Sequence, residues 1–476
     1  MAFKNFKFYL FLLLVPSLLY SQECYKMTNA QKCWVEDADM YEKNGWIVVQ
    51  LKGEPEAIGF QHGFLLADKI IDLREAMIMY IENSTGKKWE FYRNESMRLL
   101  WPGVPAEYQS ELWGIVEGVN NKLGDDTIDL PDIVAMNSNL EMAGYYLPWL
   151  QSRTNPEITP KSSIDRCSAI AATGSWTTDG KIVMAHSCWT DYVTGQYWNI
   201  IFYINPDKGH TIVMDGMPGF IHSGDDFFMN NAGLIVTETT ITQFFGFDTS
   251  GTPEFARARQ AIQYSSTIDE WVATMVEKNN GGYANDWLIG DNKTGEIARL
   301  ELGLKNHPLE RTNDGYFAGA NYPSDPKLIA EETTFDSTLM NTSPNARKVR
   351  WKELMSEYRG KIDVNVVMKF MGDHYNTWEK TDRPCALTLC GHYEFDESGV
   401  ACWGTPPFFP GGAVQAKAIN SSLASELSLW AIMGHPCGEP FIAKKFLEQH
   451  PEYKYQEKYL HDLPAQKWTL FRYMDY

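Results

Sequence analysis

From Gly59 to Asn83 the apolar residues Phe64, Leu65, Ile70, Ile71, Leu73, Met77 and Tyr80 recur at steps of three and four, which predicts an amphipathic helix. A second helix is predicted over Leu130 to Leu147. The periodic pattern stops at Leu150 to Arg166, LQSRTNPEITPKSSIDR, where two prolines and many polar residues predict an exposed loop, the best linker in the chain. Beyond it, short strand-like runs alternate with turn residues. Cys167 to Ala172 and Lys181 to His186 flank Thr178-Asp179-Gly180, while Trp198 to Ile204 and Thr211 to Met214 flank Asn205-Pro206-Asp207-Lys208-Gly209, giving two successive hairpins. Further strands are predicted at Leu234 to Thr240, Trp287 to Gly290 and Ile297 to Leu302, and helices at Glu254 to Tyr264 and Ile268 to Glu277. Hairpins interleaved with helix pairs favour a mixed α+β architecture over a doubly wound parallel sheet.

With 476 residues, 44% of them hydrophobic, and 16 Trp, the chain can bury a sizeable core, which excludes wholesale disorder. Lys plus Arg number 42 against 61 Asp plus Glu, a net charge of -19 that repels phosphate backbones, so nucleic acid is not expected as a partner. Lys4 and Lys7 precede an apolar run from Phe8 to Leu19, with polar Ser21, Gln22 and Glu23 after it, which reads as a secretory signal cleaved after Ser21. No later segment reads as transmembrane. Sequons at Asn83, Asn94, Asn292, Asn341 and Asn420 fit an exported, glycosylated chain.

Export changes the meaning of the eight cysteines, because an oxidising compartment permits disulfides. Cys24 with Cys33, Cys385 with Cys390, and Cys402 with Cys437 are pairs compatible with the sequence, although spacing does not fix connectivity. Cys167 and Cys188 are left over, and a leftover cysteine is also read as a small buried hydrophobe. No cysteine pair has CxxC spacing with histidines following at ligand distance, so no metal is expected. Asp225-Asp226 does not change this, because adjacent strand residues point to opposite faces.

Cys167 opens the first strand directly after the linker. A cut between Arg166 and Cys167 would give it an α-amino group of pKa about 7.7 to 8.0 beside a thiol of about 8.5. Nucleophile and base would then belong to one residue, with no separate histidine needed. An ordinary loop-to-strand entry has the same local sequence.

Several motifs occur in order along the chain. They are Cys167-Ser-Ala; Ala185-His186-Ser-Cys-Trp189-Thr-Asp191-Tyr192; Pro218-Gly219-Phe-Ile-His-Ser223-Gly-Asp225-Asp226-Phe227 followed by Gly233-Leu-Ile-Val-Thr-Glu238-Thr239-Thr240; Asn285-Asp286-Trp287; and Pro410-Gly-Gly-Ala413-Val-Gln-Ala-Lys417 with Gly434-His-Pro436. Together they resemble the phospholipase B-like family. Asp132-Ile-Val-Ala-Met-Asn137 with Glu141, and Asp373-His374 with Leu389-Cys390-Gly-His392, also resemble the related acyltransferases that process isopenicillin-type N-acyl compounds. The resemblance implies a four-layer αββα sandwich of the N-terminal nucleophile hydrolase type, self-cleavage before the cysteine, and hydrolysis of an acyl linkage. It assigns Cys167 as nucleophile and new N-terminus, His186 to positioning or proton transfer, and Asp191 to orienting the α-amino group. Trp189 becomes a pocket wall, Asn285 an oxyanion donor, and a backbone N–H near Thr239 a second donor. Cys188, two residues after His186, departs from that picture, and its thiol is a spectator, a redox partner of Cys167 or half of a remote disulfide.

The expected organisation is a signal peptide (1–21), an N-terminal helical region (22–150), a linker cleaved before Cys167 (151–166), and a catalytic region (167–476) that forms one composite domain with 22–150. The expected activity is that of a secreted or lysosomal hydrolase, free of cofactor and metal, whose two fragments stay associated and whose substrate is an acyl lipid. An N-acyl amino acid or peptide amidase, or an acyltransferase, is the alternative on the same fold. A non-catalytic secreted lipid-binding protein is the alternative from another class.

Overall fold

The computed structural model describes residues 27–155, 166–224 and 227–473. The expected signal segment, Cys24, linker residues 156–165 and the Asp225-Asp226 pair lie outside the described residues. In chain order the strands are β1 (Asp39–Lys43), β2 (Trp46–Gly53), β3 (Arg166–Thr173), β4 (Val183–Asp191), β5 (Ile200–Pro206), β6 (Ile212–Gly216), β7 (Phe227–Asn230), β8 (Leu234–Thr240), β9 (Asn285–Asp291), β10 (Glu296–Leu302), β11 (Leu309–Thr312), β12 (Gly315–Gly319), β13 (Tyr375–Asn376), β14 (Thr381–Asp382), β15 (Gly411–Asn420), β16 (Leu429–Met433) and β17 (Thr469–Phe471).

A nine-stranded sheet runs β1-β2-β5-β6-β7-β8-β9-β10-β11, and a six-stranded sheet runs β12-β3-β4-β15-β16-β17. Every pairing in the two is antiparallel except β2 with β5. Side-chain alternation explains why the sheets stack. On β3, Ala169 and Ala171 join the core between the sheets, while Ile170 and Ala172 face a second core built with Trp351, Leu354, Val367 and Phe370 of the helices Ser343–Glu357 and Val364–Met371. Strands covered on both faces lose the polar alternation of a half-exposed sheet, as Ile200–Ile204 does. Helices Pro55–Leu65, Glu254–Tyr264 and Ile268–Val276 cover the outer face of the larger sheet, completing four layers, αββα.

Glycines let the outermost helices touch backbone to backbone. A Cβ on Gly59 would lie 1.9 Å from Glu111 O, and one on Gly114 2.4 Å from Glu56 O, so Pro55–Leu65 and Ala106–Leu123 cross at a contact that no larger residue permits. Among the described residues no helix is long and apolar enough to cross a membrane.

The helices Glu254–Tyr264 and Ile268–Val276 and the hairpin β9–β10 form where the pattern predicts them. The helix expected from Gly59 to Asn83 is two helices, Pro55–Leu65 and Ala67–Thr85, because residues Ala57–Gly63 are all buried and their periodicity vanishes. The helix expected over Leu130–Leu147 runs as Leu130–Asn137, a π-helical turn Met142–Tyr146, and Leu147–Thr154, which carries helix into the start of the expected linker. The N-terminal stretch also holds strands: β2 lies between β1 and β5, so residues before and after Cys167 share one sheet. Neither Cys385–Cys390 nor Cys402–Cys437 is disulfide-bonded. Cys390 and Cys437 instead come together with two histidines.

Candidate active site

Cys167 is 1% exposed and lies second on β3, directly opposite Cys188 on β4; Ala169 faces His186 and Arg166 faces Trp189 in the same ladder. Residues opposite one another share a face, so Cys167, Cys188 and His186 all point toward the other sheet. There Cys167 Sγ donates to Glu238 Oε1 at 3.7 Å, and single atoms of Cys167, His186 and Glu238 lie within 4.8 Å of one another. Tyr283 Oη donates to the same Glu238 oxygen at 3.3 Å. With its amide oriented by acceptor-only surroundings, Asn285 donates to Glu238 Oε2 at 2.9 Å and to Ala284 O at 3.1 Å.

The backbone of Cys167 is held as firmly as its thiol. Its N–H donates to Asn321 Oδ1 at 3.2 Å, and Arg347 Nη1 donates to its carbonyl at 2.6 Å. Arg347 Nη2 donates to Asn321 Oδ1 at 2.7 Å, tying both contacts into one unit. Asn321 adopts φ +66°, a left-handed conformation that asparagine tolerates better than most residues. The Arg347 guanidinium stacks 4.2 Å above the Trp189 ring, a cation–π contact strengthened by exclusion of water.

His186 is buried and kept neutral, first by burial and then by the positive charge of Lys417, which faces it on β15. Lys417 in turn pairs with Asp215 across the sheets at 2.8 Å. Asp191 caps the short helix Tyr192–Gly195, accepting from Thr194 N and Thr194 Oγ1 at 2.8 Å each, while Cys167 N donates to Asn321 Oδ1. Trp189 is wholly buried beneath Arg347, so it positions the arginine more than it lines open space. Asn285 donates to Glu238 and to the Ala284 carbonyl, and Thr239 is buried where Gly319 approaches so closely that an added Cβ would lie 2.4 Å from Thr239 Oγ1. Arg166 begins β3, and its side chain is outside the described residues.

Glu238, Tyr283, Asn321 and Arg347 carry no role in the sequence reading. A carboxylate in the apolar strand LIVTETT was a usable signal for Glu238; Arg347, on a polar helix, offered none. The remaining motifs fasten loops. Asn137 donates to Gly219 O at 2.8 Å and accepts from Ile221 N at 2.9 Å, and Glu141 accepts from Glu254 N at 2.8 Å. Of the sequons, Asn83, Asn94 and Asn341 are exposed, whereas Asn292 donates to Ser421 O and Ser425 Oγ and Asn420 caps the helix Ser421–Ser425.

A cavity of about 440 Å³ opens beside Thr190 and Asp191 at the end of β4, with Met77, Tyr80, Leu140, Trp198, Met217 and Phe409 among its walls. Thr190 is two residues past the partner of Cys167, a strand rise of about 7 Å from the thiol's register position.

Two stacked sheets, antiparallel but for β2 with β5, lie between helical layers with a cysteine at the head of an inner strand, the αββα layering expected of an N-terminal nucleophile hydrolase. Residues 72–302 match the family model described as Phospholipase B. The chain is 25% identical over 369 residues to a putative phospholipase B-like 1 of Caenorhabditis elegans, covering 69% of this chain and 63% of that one. It is 26% identical over 293 residues to a phospholipase B of Crotalus adamanteus, covering 54% and 49%. A conjugated bile acid hydrolase from Clostridium perfringens superposes with a TM-score of 0.34 at 11% identity, over 64% of this chain and 97% of that one. Across residues 72–302 the chain is similar to the phospholipase B-like family. It spans about half to under two thirds of the length of the curated relatives it matches.

Proposed function

We propose that the chain is a hydrolase that cleaves itself between Arg166 and Cys167 and then removes acyl chains through the new N-terminal cysteine. The observation that carries this reading is the Cys167 thiol, 3.7 Å from the buried Glu238 carboxylate at the head of the strand that begins with the Arg166–Cys167 bond. In the first reaction Glu238 takes the thiol proton and Sγ attacks the Arg166 carbonyl carbon. The peptide C–N bond breaks, the Cys167 nitrogen gains a proton, and water hydrolyses the resulting thioester to release the Arg166 carboxylate. In the second, the freed amine, held at Asn321 Oδ1, takes the thiol proton, and the thiolate attacks the substrate carbonyl. The leaving group departs with that proton, and water resolves the acyl-thioester. Arg347 fixes the nucleophile's carbonyl, and neutral His186 relays or positions a proton. Asn285 must turn from Glu238 before it can serve an oxyanion, so in this reading it first orients the carboxylate.

The apolar cavity beside β4 suits an acyl chain, and the reading places the protein in an extracellular or lysosomal lumen after signal removal. Intact mass and N-terminal sequencing of the purified protein and of Cys167→Ala test the self-cleavage. Two fragments, one starting at Cys167, with the variant uncut, are expected; one chain in both samples would overturn it. Fatty acid release from phospholipid vesicles against release from soluble N-acyl amides then identifies the ester or the amide as substrate.

A further inference from the structure

Four side chains outside this site converge from three segments: His374, the pair Cys390 and His392, and Cys437. One ligand-type atom of each lies within 4.8 Å of the others. Both sulfurs approach one imidazole nitrogen, with His392 Nε2 3.4 Å from Cys390 Sγ and 3.6 Å from Cys437 Sγ. Tetrahedral zinc with Zn–S near 2.3 Å and Zn–N near 2.0–2.1 Å requires sulfur and nitrogen ligands to stand about 3.6 Å apart. The expectation that no metal is held rested on spacing in sequence. The fold supplies the donors from separate loops instead.

The surroundings are those of a metal ligand. His392 Nδ1 is engaged by Glu394 Oε1 at 2.9 Å, which directs Nε2 and its lone pair to the thiols, the carboxylate–histidine arrangement that orients a metal-binding imidazole. Glu394 is itself fixed by Tyr192 Oη at 2.7 Å, and that hydroxyl meets His435 Nε2 at 2.9 Å. The Nε2 atom of His374 is buried without a hydrogen-bond partner. Neighbouring Asp373 is clamped by Arg350 at 2.7 and 2.9 Å, and Cys390 N donates to Asp373 O at 3.1 Å, so the loops that bring the donors are braced independently of any ion.

We propose that His374, Cys390, His392 and Cys437 bind one zinc ion as a closed structural centre. Binding releases the two thiol protons to solvent and leaves no ligand position open for substrate, because four protein donors complete a tetrahedron. Its purpose follows from Gly391, between two of the ligands. A Cβ there would stand 2.5 Å from the Trp189 ring, and Gly391 O accepts from Ala413 N at 2.9 Å. The ion therefore pins the loop that packs on Trp189, the ring beneath Arg347.

The full-length protein, expressed in zinc-containing medium and purified without chelator or reductant, is to be assayed for metal by mass spectrometry, with disulfides mapped by peptide analysis. One zinc per chain is expected. After zinc is exchanged for cobalt, tetrahedral d–d bands and thiolate charge transfer are expected, both lost in Cys437→Ser. Glu394→Gln, which keeps all four ligands, should retain the fold and weaken zinc affinity by about 10- to 100-fold. A Cys390–Cys437 disulfide, or no zinc above the buffer blank in wild-type protein with reduced thiols, would overturn the proposal even if the variants fail to fold.

Discussion

Cys167 and the pair Cys390 and Cys437 sit in one fold and reach Trp189 through a single intermediary each, Arg347 for the first and Gly391 for the second, yet their neighbours differ in kind. Beside Cys167 stand one imidazole, neutral His186, and the Glu238 carboxylate with Tyr283 and Asn285 behind it. Imidazoles surround the other two. A carboxylate beside a thiol accepts its proton, whereas imidazole lone pairs beside two thiols invite a shared cation. The ring of neighbours, more than the sulfur, separates a nucleophile from a ligand.

The largest expected effect that would break this contrast comes from Glu238→Gln. The amide keeps the shape and loses the basicity, so self-cleavage followed by mass spectrometry should slow by about 100- to 1000-fold, with zinc content unchanged. Cleavage at the wild-type rate would remove Glu238 as proton acceptor.

Acid separates two kinds of imidazole. His222 Nδ1 accepts from Gly224 N at 3.1 Å, and burial holds its pKa down to about 4; His62 Nε2 accepts from Gly219 N at 2.8 Å, and burial followed by the charge of Arg259 holds it down to about 3. Both are neutral in the fold and protonate more readily when unfolded. Their stabilisation is fully present above pH 6.5 and is lost as pH falls through about 4, where His222 alone accounts for about 3 kcal/mol. Urea unfolding at fixed zinc between pH 7 and 4 should show this loss, and His222→Gln should flatten it.

Arg347→Lys tests the shared wall next. Lysine cannot hold Cys167 O and Asn321 Oδ1 as a fork, so the urea midpoint should fall by the equivalent of about 2 kcal/mol at constant m. Smallest is Trp189→Phe, which preserves an apolar ring but weakens the stack on Arg347, an expected loss of about 1 kcal/mol. Faster zinc release from the same variant would show that both sites lean on one side chain.

Much of the fold was legible in the sequence because periodicity records burial on one face. The hairpin β3–β4 was foreseen, but its second strand runs to Asp191 instead of stopping at His186, since His186-Ser187-Cys188-Trp189-Thr190-Asp191 mixes polar residues into a fully buried strand. The strand Trp46–Gly53 was missed inside a stretch dominated by helical signals. For the candidate site, Cys167 stood out by its place directly after the linker, and His186 by the motif that carries the resemblance. Asn321 and Arg347 did not, because they arrive at Cys167 from 154 and 180 residues away. The zinc ligands failed for the same reason: Cys437 lies 45 residues beyond His392, and only folding brings them together.

Strand β2 lies between β1 and β5 and pairs in parallel with a strand on the far side of the Arg166–Cys167 bond. Opening that bond would change the molecularity of unfolding. The intact precursor loses its structure as one chain and regains it at any dilution, whereas the cut protein separates into two polypeptides that must meet again in solution. Its apparent midpoint would then depend on protein concentration, and dilution would act as a denaturant. Maturation would trade reversible folding for persistence set by how slowly β2 leaves its neighbours.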